Sequence, residues 1–165
     1  MKIHFFKYQG TGNDFILLDN RKGEYDSLKK KQIALLCDRR FGIGGDGLIM
    51  LSEKNGFDFE MKYFNADGAP GSMCGNGGRC VTAFANALGI KKDLYSFLAY
   101  DGEHQSKMLD EGASLKMSAV KKVDSDDRAK VLDTGSPHYV LNVKDVESVD
   151  VFNRGKKIRN SAKYA

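Results

Sequence analysis

The sequence predicts an α+β domain. Short runs of strand length recur through most of its 165 residues, only two segments carry a clear helical period, and glycine reaches 18 residues against two prolines. Many short strands with few helices belong to that class. The glycines cluster at 42–47 and 71–78 beside short hydrophobic runs. Glycine-rich loops between ordered elements are where backbone comes close to a ligand.

Residues 3–8 read as a strand, 9–14 as a turn and 15–19 as a second strand. Residues 27–39 read as a helix capped by Ser27, with Ile33, Leu36, Cys37 and Arg40 on one face. Cys37 is then a small buried hydrophobe. A loop, 41–47, leads into strand 48–51, and alternation marks strand 57–64, closed by the turn residues Asn65-Ala66-Asp67-Gly68. A helix over 79–88 presents Val81, Phe84, Ala85 and Leu88, with Gly89 at the C′ position. Shorter strands follow around 95–99, 105–109 and 114–117. The charged stretch 121–128 reads as a connection. Residues 131–134 enter Gly135-Ser136-Pro137-His138, 139–143 form a strand, and 149–163 are weakly helical.

With 41% hydrophobic and 29% charged residues, the chain reads as soluble and globular. No apolar run approaches the roughly 20 residues of a membrane helix, and the N-terminus is too charged and short for a signal peptide. A cytoplasmic protein with no membrane partner is the expectation. Net charge is +4, but the lysines fall in small separate groups, without the basic stripe that nucleic-acid binding needs. Three cysteines with no sign of export are read as free thiols. Cys74 and Cys80 do not have a zinc spacing, so no metal site is expected.

The chemistry concentrates at Cys74, at the entrance to the helix that follows. Helix N-termini present unpaired N–H groups and positive partial charge, which favour a thiolate acting as base or nucleophile. The following Gly75-Asn76-Gly77-Gly78 has little side-chain bulk, so its N–H groups can converge on a substrate carboxylate. A thiolate beside that cradle could take a proton from the adjoining carbon, or open an acyl transfer. Local chemistry leaves both open. Asn13 and Asn65 suit a polar pocket, or serve simply as turn residues that tolerate left-handed backbone.

Five motifs occur in order: Gly10-Thr11-Gly12-Asn13-Asp14-Phe15, Gly42-Ile43-Gly44-Gly45-Asp46-Gly47-Leu48-Ile49, Phe64-Asn65-Ala66-Asp67-Gly68, Met73-Cys74-Gly75-Asn76-Gly77-Gly78-Arg79-Cys80 and Gly135-Ser136-Pro137-His138. Together the chain closely resembles the diaminopimelate epimerases. Proline racemases, which are related, have a histidine where Asn76 stands, and phenazine-biosynthesis isomerases of the same fold lack the cysteine. The resemblance implies a mixed, strongly curved, barrel-like sheet around the helix at 79–88. It implies an epimerase that needs no cofactor and interconverts LL- and meso-diaminopimelate, on the route to lysine and peptidoglycan. Cys74 would be the acid/base on one face of the substrate. Gly75 and Asn76 would give main-chain N–H groups to the α-carboxylate, and Asn13 and Asn65 would hold the distal end. Ser136 replaces an asparagine common in the family, Gly47 stands where some members carry a substrate-contacting glutamine, and His138 either lines the site or supports it.

The family has two lobes, and the second supplies another cysteine. No such cysteine motif follows Asn160. The expectation is a first lobe at 1–120 and the beginning of a second at 121–165. Such a chain would be inactive alone, and the intact enzyme would be a homodimer. The alternative is a non-catalytic fragment that still binds a carboxylate or half of the substrate.

Overall fold

The computed structural model describes residues 2–164. Seven strands lie side by side in chain order. They are β1 (Phe6–Gly10), β2 (Asn13–Asp19), β3 (Gly47–Ser52), β4 (Phe59–Asn65), β5 (Tyr95–Ala99), β6 (Gly102–Leu109) and β7 (Gly112–Leu115). The pairs β2/β3 and β4/β5 are parallel and the others antiparallel, so the sheet is mixed. Parallel neighbours need a crossover, and α1 (Lys30–Cys37) and α2 (Gly75–Ala87) lie in the two crossovers. Helix α2 touches β1 and β7, the two edge strands, as well as strands between them. A sheet whose opposite edges reach one helix must be strongly curled, and this one is a half-barrel wrapped on α2.

Both faces of the sheet are covered, which explains why β2 and β3 are apolar without alternation. Phe15, Leu17, Ile49 and Leu51 point to the inner core with Val81, Phe84 and Ala85 of α2. Ile16, Leu18, Leu48 and Met50 point outward, against Ile33 and Cys37 of α1. Cys37 is buried on its helix face, as its spacing predicts.

Helix α2 starts at Gly75, four residues before the predicted start, because its glycine-rich first turn carries no apolar period. Those glycines have a packing reason. A Cβ on Gly78 would lie 2.7 Å from Met73 Cε and 2.8 Å from Leu115 Cδ2, and one on Gly77 would lie 3.1 Å from Met61 Cε. Within the helix, Thr82 Oγ1 lies 2.8 Å from the Gly78 carbonyl and 2.7 Å from Ser106 Oγ on β6, tying the helix to the sheet. The helix ends in a Schellman arrangement: Gly89 N–H donates to Asn86 O (3.2 Å), and Ile90 N–H donates to Ala85 O (3.0 Å).

Other boundaries also differ from the sequence reading, most by two or three residues. β1 begins at Phe6 rather than at residue 3. α1 begins at Lys30, since Leu28 N–H donates to Tyr25 O in a preceding turn and Gln32 Oε1 accepts from Lys29 N–H. Ser27 is therefore not the cap. Residues 121–128 are more than a connection: β8 (Val123–Asp126) turns back through Asp127 and Arg128 into β9 (Ala129–Asp133), which pairs with β10 (Pro137–Leu141). Charge had masked a strand that sits at the edge of this second, three-stranded sheet. α3 (Val151–Arg159) follows and buries none of its residues. Among the described residues no helix is long and apolar enough to cross a membrane.

Phe84 is fully buried and carries the ring of Phe6 at 4.9 Å and that of Tyr8 at 5.8 Å between centroids. Phe84→Ala should lower the unfolding free energy by about 3–5 kcal/mol in urea titrations. A loss below about 1 kcal/mol would show that α2 is not the centre of this core.

Candidate active site

The glycine-rich segments converge at one end of the curled sheet. Gly10 pairs with Asn13, so Thr11 and Gly12 form a two-residue hairpin turn with φ of 55° and 84°. Positive φ is unusual for a β-branched residue. Thr11 holds its hydroxyl 2.7 Å from Gly10 O and 3.2 Å from Asn76 Oδ1, so this turn leans on α2. Gly10 allows the approach, since a Cβ there would lie 3.3 Å from Asn76 Cβ.

Cys74 is the N-cap of α2, in extended conformation. Its sulfur accepts from Gly77 N–H at 3.5 Å, and its S–H donates to Asn13 Oδ1 at 3.6 Å. Gly78 N–H donates to Cys74 O at 2.8 Å. The N–H groups of Gly75 and Asn76 have no hydrogen-bond partner among the described residues. Two unpaired first-turn amides at the positive end of a helix, beside the thiol, are able to bind an anion. The sequence foresees the amide that favours a thiolate, but not the carbonyl oxygen on the sulfur's other side.

Asn13 is held from behind. Its Nδ2 donates to Asp46 Oδ2 at 2.8 Å, and its Oδ1 accepts from Asn76 Nδ2 at 3.3 Å. Asn76 Oδ1 in turn accepts from the Arg79 guanidinium at 2.6 Å. Asp46 is carried by the loop after α1, which folds back on the end of that helix. Ile43 and Gly44 N–H both donate to Leu36 O, Gly45 N–H donates to Cys37 O, and Asp46 N–H reaches Asp14 O at 2.8 Å. A Cβ on Gly42 would lie 1.9 Å from Leu35 O, which is why this loop is glycine-rich.

Arg39 bridges Asp46 (2.8 Å) and Asp14 (2.6 Å), and Lys7 binds Asp14 at 2.8 Å. Hydrogen bonds from Arg39 and then Lys7 hold the Asp14 carboxyl well below the usual carboxylate range. Asp46 is lowered by its Asn13 bond first, with Arg39 adding to it. Sequence reading missed Asp14, Arg39 and Asp46. The two aspartates stood inside the quoted motifs, but Arg39 carried no pattern of its own.

The remaining candidates lie at different distances from the thiol. Asn65 ends β4 on the inner face, two residues beyond Tyr63, and its register partner is Gly47. Neither Asn13 nor Asn65 has the left-handed backbone that the turn reading supposes; Thr11, Gly12 and Gly68 take it instead. Gly47 leaves room for the Tyr63 ring, because a Cβ there would meet Tyr63 Cε2 at 2.5 Å. Ser136 lies 2.7 Å from Ser72, two residues before Cys74. His138 bonds Thr134 Oγ1 at 2.9 Å, and among the described residues no hydrogen bond joins it to Cys74, Asn13 or Asn76. His104 is paired with Asp101. Among the described residues no histidine is hydrogen-bonded to the Cys74 thiol, the partner that an acyl-transfer reading calls for.

The family profile described as diaminopimelate epimerase matches residues 5–123. The diaminopimelate epimerase of Flavobacterium psychrophilum is 48% identical over 163 residues, covering 98% of this chain and 64% of that protein. The Chlorobaculum tepidum protein of the same name is 40% identical, covering 92% of this chain and 62% of its own length. The chain thus spans a little under two thirds of these relatives. Among solved structures, a phenazine biosynthesis protein of the PhzF family from Bacillus anthracis superposes with a TM-score of 0.61 at 14% identity, covering 88% of this chain and 56% of that one. A methylitaconate-delta-isomerase gives 0.51 at 15% identity, covering 81% and 42%. These two likenesses concern the fold alone.

Burial pushes the Cys37 and Cys80 thiols up to about 11 each. At pH 7 iodoacetamide should therefore label Cys74 first, at least about tenfold faster than either. Peptide mass spectrometry over time checks this, and equal rates in folded protein would refute it. The Asp14 carboxyl, lowered in the fold, stabilises the protein above its unfolded value near 4 and loses that contribution as pH falls below it. Asp14→Asn should accordingly lower the melting temperature at pH 7 and have a smaller effect at pH 3. A pH-independent difference in thermal melts would exclude the linkage.

Proposed function

The chain belongs to the diaminopimelate epimerase family, and on that premise we propose that Cys74 is one of two cysteine acid/base groups interconverting LL- and meso-diaminopimelate without a cofactor. The observation that carries the reading is a thiol at a helix N-cap beside two unpaired amides, those of Gly75 and Asn76. Those amides receive the α-carboxylate, where negative charge grows as the α-proton leaves, and donors placed at such a point lower the barrier. The thiolate takes the proton from one face, and a thiol on the other face returns one. Inversion follows because the two groups act from opposite sides.

Asn13, beside the thiol, and Asn65, at the end of β4, bind the distal amino-acid end, with Ser136 contributing beside Ser72. His138 belongs to the outer part of the site or to its support. The enzyme works in the cytoplasm, on the route to lysine and peptidoglycan, and the intact protein is a homodimer. Neither of the other cysteines supplies the second acid/base. Cys37 packs against the outer face of the sheet and Cys80 against its inner core, both nearly fully buried. The proton donor for the opposite face is therefore neither Cys37 nor Cys80. That burial favours a second reading, in which this chain alone binds the substrate carboxylate without turning it over.

Incubation with LL-diaminopimelate in deuterated water tests both readings. Deuterium at the α-carbon with retained configuration is expected, together with loss of exchange in Cys74→Ala and no meso product. Inversion by a homogeneous preparation would overturn the exclusion of Cys37 and Cys80. Binding detected by NMR without any exchange would establish the binding-only reading.

A further inference from the structure

Two amide side chains at the site have only one chemically allowed orientation each. A carboxylate can only accept hydrogen bonds and a guanidinium can only donate them. The Asn13 atom 2.8 Å from Asp46 Oδ2 must therefore be its NH2, and the Asn76 atom 2.6 Å from Arg79 must be its carbonyl oxygen. These two constraints agree, since they leave Asn76 Nδ2 donating to Asn13 Oδ1 at 3.3 Å. The direction runs unbroken from Arg79 to Asn76, from Asn76 to Asn13 and from Asn13 to Asp46, where Arg39 donates from the other side. The same orientation fixes a carbonyl oxygen, rather than an N–H, 3.6 Å from the Cys74 sulfur.

We propose that Asp46, backed by Arg39, is a positioning residue that locks the Asn13 amide with its carbonyl toward Cys74, so that the S–H is aimed along the Asn13 direction. The inference deepens the two-cysteine reading and rests on it. In such a pair each sulfur carries a proton at one stage, and this geometry fixes where the Cys74 S–H points until substrate displaces the Asn13 contact. Asp46 touches neither the sulfur nor the free amides; besides Arg39 its carboxylate holds the Asn13 side chain at 2.8 Å and the Asp14 N–H at 3.3 Å, so it acts through the strand start that carries Asn13. The other ionisable groups around the sulfur are Tyr63 from β4, Arg79 and Cys80 from α2, and Lys7, Asp14 and Arg39 behind Asn13.

Asp46→Asn releases the lock. Arg39 keeps the oxygen of residue 46, so the new NH2 meets the Asp14 N–H and competes with Asn76 Nδ2 for Asn13 Oδ1, and the Asn13 amide is no longer held with its carbonyl toward the sulfur. The pH profile of Cys74 alkylation reads this out without substrate. In the variant, alkylation at pH 7 should rise by about 3- to 10-fold, the effect of exchanging one hydrogen-bond partner, with the profile moved to lower pH. Removing a negative charge alone would move it in the same direction, so the decisive measurement is a double-mutant cycle. In an Asn13→Ala background the Asp46→Asn effect should fall to less than about twofold. An equal shift in both backgrounds, or no shift in either, would overturn the proposal. Asp46→Ala, which leaves the Asn13 amide unheld, runs through the same cycle with the same expected sign if the first variant melts early. Failure here would leave Cys74-dependent deuterium exchange untouched, whereas failure of the epimerase reading would abolish exchange while the alkylation cycle still reports on the lock.

Discussion

The closeness of α2 to the inner face of the sheet governs everything else in this structure. Gly77 and Gly78 carry no side chain, so Met61 and Ile49 on one side and Met73 and Leu115 on the other reach the helix backbone. Gly10 does the same for β1. With bulkier residues the helix would stand away from the strands, and Cys74 and Asn76 would lose their contacts to Asn13. Close backbone packing and a polar site are thus one arrangement, since the glycines that let the core close also leave the first-turn amides uncovered.

Electrostatics around the thiol are balanced rather than one-sided. An amide from Gly77 favours the charged sulfur, and the carbonyl of Asn13 favours the protonated one. The charged residues are kept one step removed. Asp46 and Arg79 act through asparagine amides, which transmit direction without placing a full charge beside the sulfur. Lys7 and Arg39 together neutralise Asp14, so the hairpin that carries Asn13 has a fixed base.

The sequence made the thiol and its glycines legible because both follow from local chemistry. A cysteine before a run of small residues at a helix entrance needs no tertiary information. Periodicity also placed Ile33 and Cys37 on one face and Phe84 in the core. It failed where the signal is carried by backbone. Helix α2 lost its first turn because glycines have no hydropathy period, and β8 was hidden by acidic residues on a strand with one open side. The lock on Asn13 was out of reach for another reason. Arg39, Asp46 and Asn13 lie on three separate segments, and only the folding of the 38–46 loop onto the carbonyls of α1 brings them together.

The order of the seven strands carries a kinetic meaning. Each strand pairs with the one made just before it, so most of the sheet can assemble from contacts of short loop closure, which form fast. Helix α2 is the exception: it lies between β4 and β5 in the chain, yet touches both β1 and β7. Its burial must wait until chain from both sides has been placed. The cysteine site, where the β1–β2 turn meets the start of that helix across separations of 61 and 63 residues, rests on long loop closure, the slow kind of contact.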